Sequence, residues 1–451
     1  MPGTTPFDSQ LFGALYRPSD LEALWSDQGL VESWLRVEVA LAEVQAELSI
    51  VPPEAVNAIR AVANVERVDF DALAKGTTQT GMPIKPLIDQ MGALGGPLVA
   101  QYLHWGATTQ DILDTSLALR LRDTLDRVDA RCRALLEIFA TLAETHRHTV
   151  MVARTNSQDA APTTFGLHVS SYATELVRHR TRLCEMRPRV ATGVFGGAVG
   201  TLASSGPQGL EVRDRWMARL GLSGPQGLMN ASLDHVAEFV LGLGLVHGTL
   251  TRFANDVETL GRTAVGEVRE GEGPGASSTM PHKTNPRAAN AIRTLGRMGF
   301  SLSGAAYHLL DQVEVRSAAM RSVSWSVVPE ACMTAAMALD RAIGLARHLH
   351  VDGARMRANF DHAKGYVLSE SVMMRLAAKV GRARGYAMVR DALAAAPHDA
   401  SLLEALLADA AVRSHLAESE IVEACAPEGY LGQANALLDE ALVAIRASLS
   451  A

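Results

Sequence analysis

From Leu113 to Ala161 the chain contains neither glycine nor proline, the two residues that most readily end a helix. Within that stretch Leu117, Leu121, Leu125, Val128, Cys132, Leu135, Phe139 and Leu142 recur at spacings of four and three. This is the seam of one long amphipathic helix, and the pattern carries it as far as Arg154. A rod of roughly 60 Å, at about 1.5 Å per residue, cannot bury such a stripe against itself. It needs other helices alongside, so the spacing predicts an all-α protein built on a bundle of long helices, packed between copies of the chain.

The remaining sequence fits that plan. At 451 residues the chain exceeds the usual single domain, and two or three domains are expected. Helical segments are expected around Pro18–Leu48 and Pro53–Ala63. A segment apolar nearly all round from Val236 to Val246 belongs inside a bundle. A helix beginning near Ala288 is expected to break around Gly304, and shorter helices close the chain beyond Val351. The net charge of −7 offers no basic footprint, which excludes nucleic acid as an expected partner. No apolar run approaches the ~18–20 residues of a membrane span, and Met1-Pro2-Gly3-Thr4-Thr5 lacks the regions of a signal peptide. Cys132, Cys184, Cys332 and Cys425 form no CxxC pair. They read as reduced thiols of a cytoplasmic protein, with neither metal nor cofactor expected.

Chemistry has to be sought where the helical pattern stops. Gly275 to Arg287 reads Gly-Ala-Ser-Ser-Thr-Met-Pro-His-Lys-Thr-Asn-Pro-Arg, behind the glycine-rich Glu270-Gly271-Glu272-Gly273-Pro274. Two serines, a lysine and an asparagine in a segment free to move suit anion capture and proton transfer, although such composition is also that of an ordinary surface loop. Thr108-Thr109-Gln110-Asp111 precedes the long helix, where free N–H groups and the helix dipole favour an anion; the same residues would serve as a simple N-cap. Arg154-Thr155-Asn156-Ser157-Gln158-Asp159-Ala160-Ala161-Pro162 is a polar stretch at the far end. Gly196-Gly197-Ala198-Val199-Gly200-Thr201 contributes shape more than chemistry and lacks the strand–helix setting of a dinucleotide fingerprint. Asn230, Ser232 and His235 read as a cap and a satisfied histidine. Arg316 and Arg321 flank the start of a further helix.

In combination these segments resemble the fumarase/aspartase superfamily, on the branch of the 3-carboxy-cis,cis-muconate cycloisomerases and adenylosuccinate lyases. The loop is similar to that superfamily's signature Gly-Ser-Ser-x-Met-Pro-x-Lys-x-Asn-Pro, with Ala276 after Gly275. Thr108-Thr109-Gln110-Asp111 is similar to its Thr/Ser-Ser-x-Asp element, and Trp34 to Ala42 to its first domain. Arg154–Pro162 is similar to Arg-Thr-His-x-Gln-Asp/His-Ala-x-Pro, with Asn156 in the histidine's place. Arg316-Ser317 resembles the Glu-Arg-Ser of the cycloisomerases. Counting back from Pro329, Arg321 has no equivalent in either pattern, and Ser324 replaces a glutamate.

The resemblance implies a three-domain fumarase/aspartase-type fold, divided at 1–104, 105–345 (with the loop 270–288) and 346–451. It implies a homotetramer whose 20-helix core brings several subunits to each site. It also implies β-elimination from a small dicarboxylate, with Ser277 as the general base. Thr108, Thr109, Gln110, Thr155, Asn156, Lys283, Asn285 and Arg316 would bind substrate. An amide cannot donate a proton at a useful pKa, so Asn156 points to a leaving group that departs as a weak base. Arg321, with its planar fork, would suit a nitro-like group. These residues favour nitrosuccinate giving fumarate and nitrite. The cycloisomerase reaction is the alternative, followed by a C–N lyase of the adenylosuccinate or aspartate type and by an inactive structural homologue. Adenylosuccinate lyase ranks lower because Gly81–Pro86 stands where that enzyme carries His-His-Asp.

Overall fold

The structure is a computed structural model describing residues 4–271, 279–280 and 282–450. It is all-α apart from short strands. In chain order the elements are α1 (Ser19–Trp25), α2 (Asp27–Glu47), α3 (Pro53–Val62), α4 (Phe70–Thr80), α5 (Ile84–Tyr102) and α6 (Thr109–Thr145). A hairpin of β1 (Val150–Thr155) and β2 (Gln158–Thr164) follows, then α7 (Phe165–Val190), α8 (Gly209–Leu220) and α9 (Asp234–Leu260). After β3 (Val268–Arg269) come α10 (Arg287–Ala306), α11 (Ala318–Arg347), β4 (His350–Val351) and α12 (Gly353–His362). Shorter helices then lead to a last one over Ala434–Ser450.

The chain divides into two compact units. The first comprises Met1–Arg131, His179–Gly248 and Thr294–Asp340. Its core gathers Trp34 and Leu41 of α2, Ile59 of α3, Met91 of α5, Ile112 of α6 and Trp216 of α8. Each fully buried apolar side chain of this size contributes roughly 1.5–3 kcal/mol through its removal from water. Trp216 is oriented by donating its indole N–H to the carbonyl of Val37 at 3.0 Å. Trp25 donates to Thr124 Oγ1 at 3.2 Å beneath the Arg120 guanidinium, which lies 4.4 Å above its ring. Ser26 caps α2 by accepting from Gly29 N at 3.1 Å, which is why one expected helix becomes two. Lys85, in the first turn of α5, pairs with Asp89 at 2.7 Å on the surface. Helix α10 runs unbroken through Gly304, where the sequence suggested an interruption.

The second unit comprises Cys132–Arg178, Thr249–Arg293 and Arg341–Ala451. In it Phe253 meets Phe139 and Tyr172 edge to face, and Phe139 lies tilted against Tyr172, with centroids 5.0–5.8 Å apart. A second cluster joins Val152 of the hairpin to Phe360, Leu368, Leu376 and Leu402 of the C-terminal helices.

The predicted seam of α6 is where the pattern put it. Leu121, Leu125, Val128, Cys132, Leu135 and Phe139 are buried, while Leu117 and Leu142 are half-buried. Its end is not. The helix stops at Thr145, and the segment expected to continue it folds back as the hairpin, with Val150 opposite Thr164 and Thr155 opposite Gln158. The β-branched Thr149-Val150 and Val152 favour extended backbone. Asn156 and Ser157 close the turn at φ +50° and +63°. Two consecutive positive φ values are what a two-residue type I′ hairpin requires, and asparagine accepts them better than most residues.

Candidate active site

In the first unit the candidate residues collect at the N-terminus of α6. Asp111, fully buried, folds its carboxylate back to accept from the N–H of Thr108 at 2.9 Å and of Gly196 and Gly197 at 3.0 Å each. One side chain thus caps the helix and fixes the glycine-rich turn against it. Burial pushes the Asp111 carboxyl up to about 6, against the pull of those three N–H donors. The turn approaches so closely that a Cβ on Gly200, at φ +85°, would lie 2.0 Å from Leu228 Cδ1 and 2.8 Å from Asn230 Oδ1. Glu38 and Gln45 of α2 hold the preceding segment, Glu38 meeting His104 Nδ1 at 2.6 Å and Gln45 donating to the Trp105 carbonyl at 2.7 Å. The Glu38 carboxylate raises the pKa of His104 despite its burial.

Thr108 and Thr109 remain half-buried at this end, and the exposed Arg316 donates from Nη1 to Thr108 Oγ1 at 3.2 Å. A helix N-terminus, hydroxyls and a guanidinium together suit a carboxylate. Gln110 and Arg321 lie behind, buried. Gln110 Nε2 donates to Asp114 Oδ2 at 3.0 Å and to the Asn230 carbonyl. Arg321 donates to Asp114 Oδ1 and, from Nη2, to the Asn230 carbonyl at 2.9 Å. Burial raises the Asp114 carboxyl while the Arg321 charge opposes the shift. His235, also buried, has no hydrogen bond at Nδ1 among the described residues, Asp234 Oδ1 lying 4.0 Å away, and burial lowers its pKa. Asp114 and Asn230 thus join Gln110 and Arg321 in a network that sequence spacing could not assemble. The one sequence signal was the cluster of polar residues ahead of α9.

In the second unit Thr155 and Asn156 stand exposed at the hairpin tip. Arg154 ties the hairpin down through two bonds to Glu267 at 2.7 and 2.8 Å, and Asn359 donates to the same carboxylate at 2.8 Å. Three residues on, Glu270 accepts from Ala288 N at 3.0 Å and Ala289 N at 2.8 Å, capping α10. The signature loop is therefore anchored at both ends by one carboxylate. Lys283 is exposed and Asn285 half-buried. Ser277 lies outside the described residues.

Comparison with known proteins agrees with this architecture. The family described as "Lyase" matches residues 17–298, and "Adenylosuccinate lyase C-terminus" matches residues 365–441. A 3-carboxy-cis,cis-muconate cycloisomerase of Pseudomonas aeruginosa is 37% identical over 440 residues, covering 96% of each chain. An N-acetyl-S-(2-succino)cysteine lyase of Dickeya dadantii is 32% identical over 438 residues, again 96% of each. The crystal structure of the 3-carboxy-cis,cis-muconate lactonizing enzyme from Pseudomonas putida superposes with a TM-score of 0.92 at 34% identity, covering 98% of this chain and 100% of that one. On helical architecture, matched families and full-length relatives together, the chain belongs to the fumarase/aspartase superfamily.

Proposed function

We propose that this protein catalyses β-elimination, or the reverse addition, at a carbon beside a carboxylate, and that its substrate is of the 3-carboxy-cis,cis-muconate type. The reading is supported chiefly by the 37% identity along 96% of both chains to a cycloisomerase. The Thr108–Arg316 end of α6 supplies a place for one substrate carboxylate. In such a cyclisation a carboxylate oxygen bonds to one alkene carbon while its neighbour takes a proton. In reverse, the proton leaves to a base and the C–O bond breaks, releasing a carboxylate. A carboxylate departs unprotonated, which suits asparagine at position 156.

In this reading Ser277 is the base, usable only with solvent excluded and a cation nearby. Lys283 and Asn285 hold the carboxylate whose charge grows as the proton leaves. Thr155 and Asn156 face the departing group. Nitrosuccinate, favoured on sequence, rested on Asn156 together with Arg321, and the Arg321 fork is taken by Asp114 and the Asn230 carbonyl. A second reading, elimination of a thiolate from a substituted succinate, is favoured by the 32% identity to the succinocysteine lyase and by the same asparagine. The cytoplasmic setting, the three-segment partition and a homotetramer with sites completed by neighbouring copies belong to the same proposal.

Two assays run side by side test it. Loss of the conjugated-diene absorbance of 3-carboxy-cis,cis-muconate would support the first reading. Fumarate from a thioether-, amino- or nitro-substituted succinate, with the muconate untouched, would replace it.

A further inference from the structure

Arg321 is 5% exposed, yet it carries a charge into the first unit. Two donors, Arg321 and Gln110, each bridge the same two acceptors, the Asp114 carboxylate and the Asn230 carbonyl. The result is a closed ring of hydrogen bonds joining the start of α6, the segment ahead of α9 and the first turn of α11. The remaining guanidinium nitrogen, Nε, is buried without a hydrogen-bond partner among the described residues. Ser324 fastens the same turn by donating to the Arg321 carbonyl at 2.6 Å, and Arg321 N bonds Ser317 O at 3.2 Å. Gln110 is two residues from Thr108, and Arg316 is the residue before Ser317. Both sides of the Thr108–Arg316 contact are therefore fixed by the ring.

We propose that Arg321 is a positioning residue, which sets Arg316 against the Thr108 hydroxyl and does not itself hold substrate. The inference rests on reading that end of α6 as the carboxylate site. A buried guanidinium with both terminal nitrogens engaged would have to give up its counter-charge to reach a ligand, and breaking a buried pair is costly. Removing either partner instead slackens the ring and leaves the other charge buried alone.

The test is a double-mutant cycle in the full-length protein, using whichever substrate of the assays above is turned over. Asp114→Asn and Arg321→Gln should each raise KM about tenfold, the loss expected when a positioning hydrogen bond goes, with kcat changed less than about threefold. The double variant should be no worse than the poorer single, and Arg321→Lys should recover part of the loss. A guanidinium that grips substrate gives the opposite signs: Asp114→Asn would free it and leave KM unchanged or lower, while Arg321→Gln alone would raise KM. That result, or strictly multiplicative effects, overturns the proposal. Should either single variant fail to fold, the double, an uncharged amide pair, and Arg321→Lys carry the comparison against wild type. A double variant whose KM rises far beyond the predicted tenfold would count against the ring. Absence of wild-type turnover on every substrate would overturn the functional reading and the inference with it; turnover with multiplicative effects would overturn the inference alone.

Discussion

His247, on α9, is 1% exposed, and neither ring nitrogen has a hydrogen-bond partner among the described residues. It packs against α10 where Gly299 makes room, since a Cβ there would lie 2.1 Å from His247 Cδ2. Burial without a partner pushes its pKa down to about 4 from the ordinary 6.5. The imidazole is therefore neutral in the folded protein at any pH above that, whereas in the unfolded chain it protonates near 6.5. As pH falls through this window the unfolded state binds a proton that the folded state refuses, and stability drops by about 1.4 kcal/mol per pH unit. Between pH 7.5 and pH 4.5 the loss amounts to roughly 2–3 kcal/mol. His247→Met fills similar space with no titrating group. Other ionisable residues titrate in both proteins, so the difference between them isolates His247. Urea unfolding at the two pH values should find the variant at least as stable as wild type at pH 7.5, and ahead by a further ~2–3 kcal/mol at pH 4.5. A difference that stays constant within about 1 kcal/mol would show that the imidazole is hydrated or paired, and the reasoning would fail.

Ser277→Ala should lower turnover at least ~10²-fold while leaving circular dichroism and oligomeric size unchanged; near-normal turnover would remove it as the base. Mixing inactive Ser277→Ala and Thr109→Val chains should restore partial activity if sites draw on several copies, and hybrids confirmed to form yet inactive would refute sharing. Replacing the wholly buried Glu267 by Ala should cost about 1–3 kcal/mol of stability, because Arg154 keeps only Asp159 and Asn359 only the Val265 carbonyl; urea midpoints check this. Asn156→Val should cost about 1–2 kcal/mol in thermal unfolding for the strain of a β-branched residue at φ +50°, whereas Asn156→Gly should not.

Sequence patterning revealed the elements whose signal is repeated. The α6 seam spans many turns, so each buried leucine reinforces the next. The hairpin after Thr145 carried one short β-branched run and a turn made without glycine or proline, and the continuing absence of helix breakers concealed it. Thr108 and Arg316 were singled out separately by motif, and the fold brings them to 3.2 Å. The Asp114–Arg321 pair was not legible, because an aspartate within a helix and an arginine 207 residues later look like two solvated surface charges until packing buries both. The same burial bears on Arg321: its fork looked available for a ligand in sequence and meets Asp114 and the Asn230 carbonyl in the fold.

The positive φ at the hairpin tip has a chemical corollary. Backbone of that hand is hospitable to glycine, asparagine, aspartate and histidine and hostile to β-branched side chains. Of these four, two can hand over a proton, one can only donate an amide hydrogen bond, and one offers nothing. The turn thus writes a four-letter alphabet for position 156. Within it, in the proposed reaction, changing histidine for asparagine would alter what kind of leaving group the tip can serve while leaving the hairpin that carries it intact.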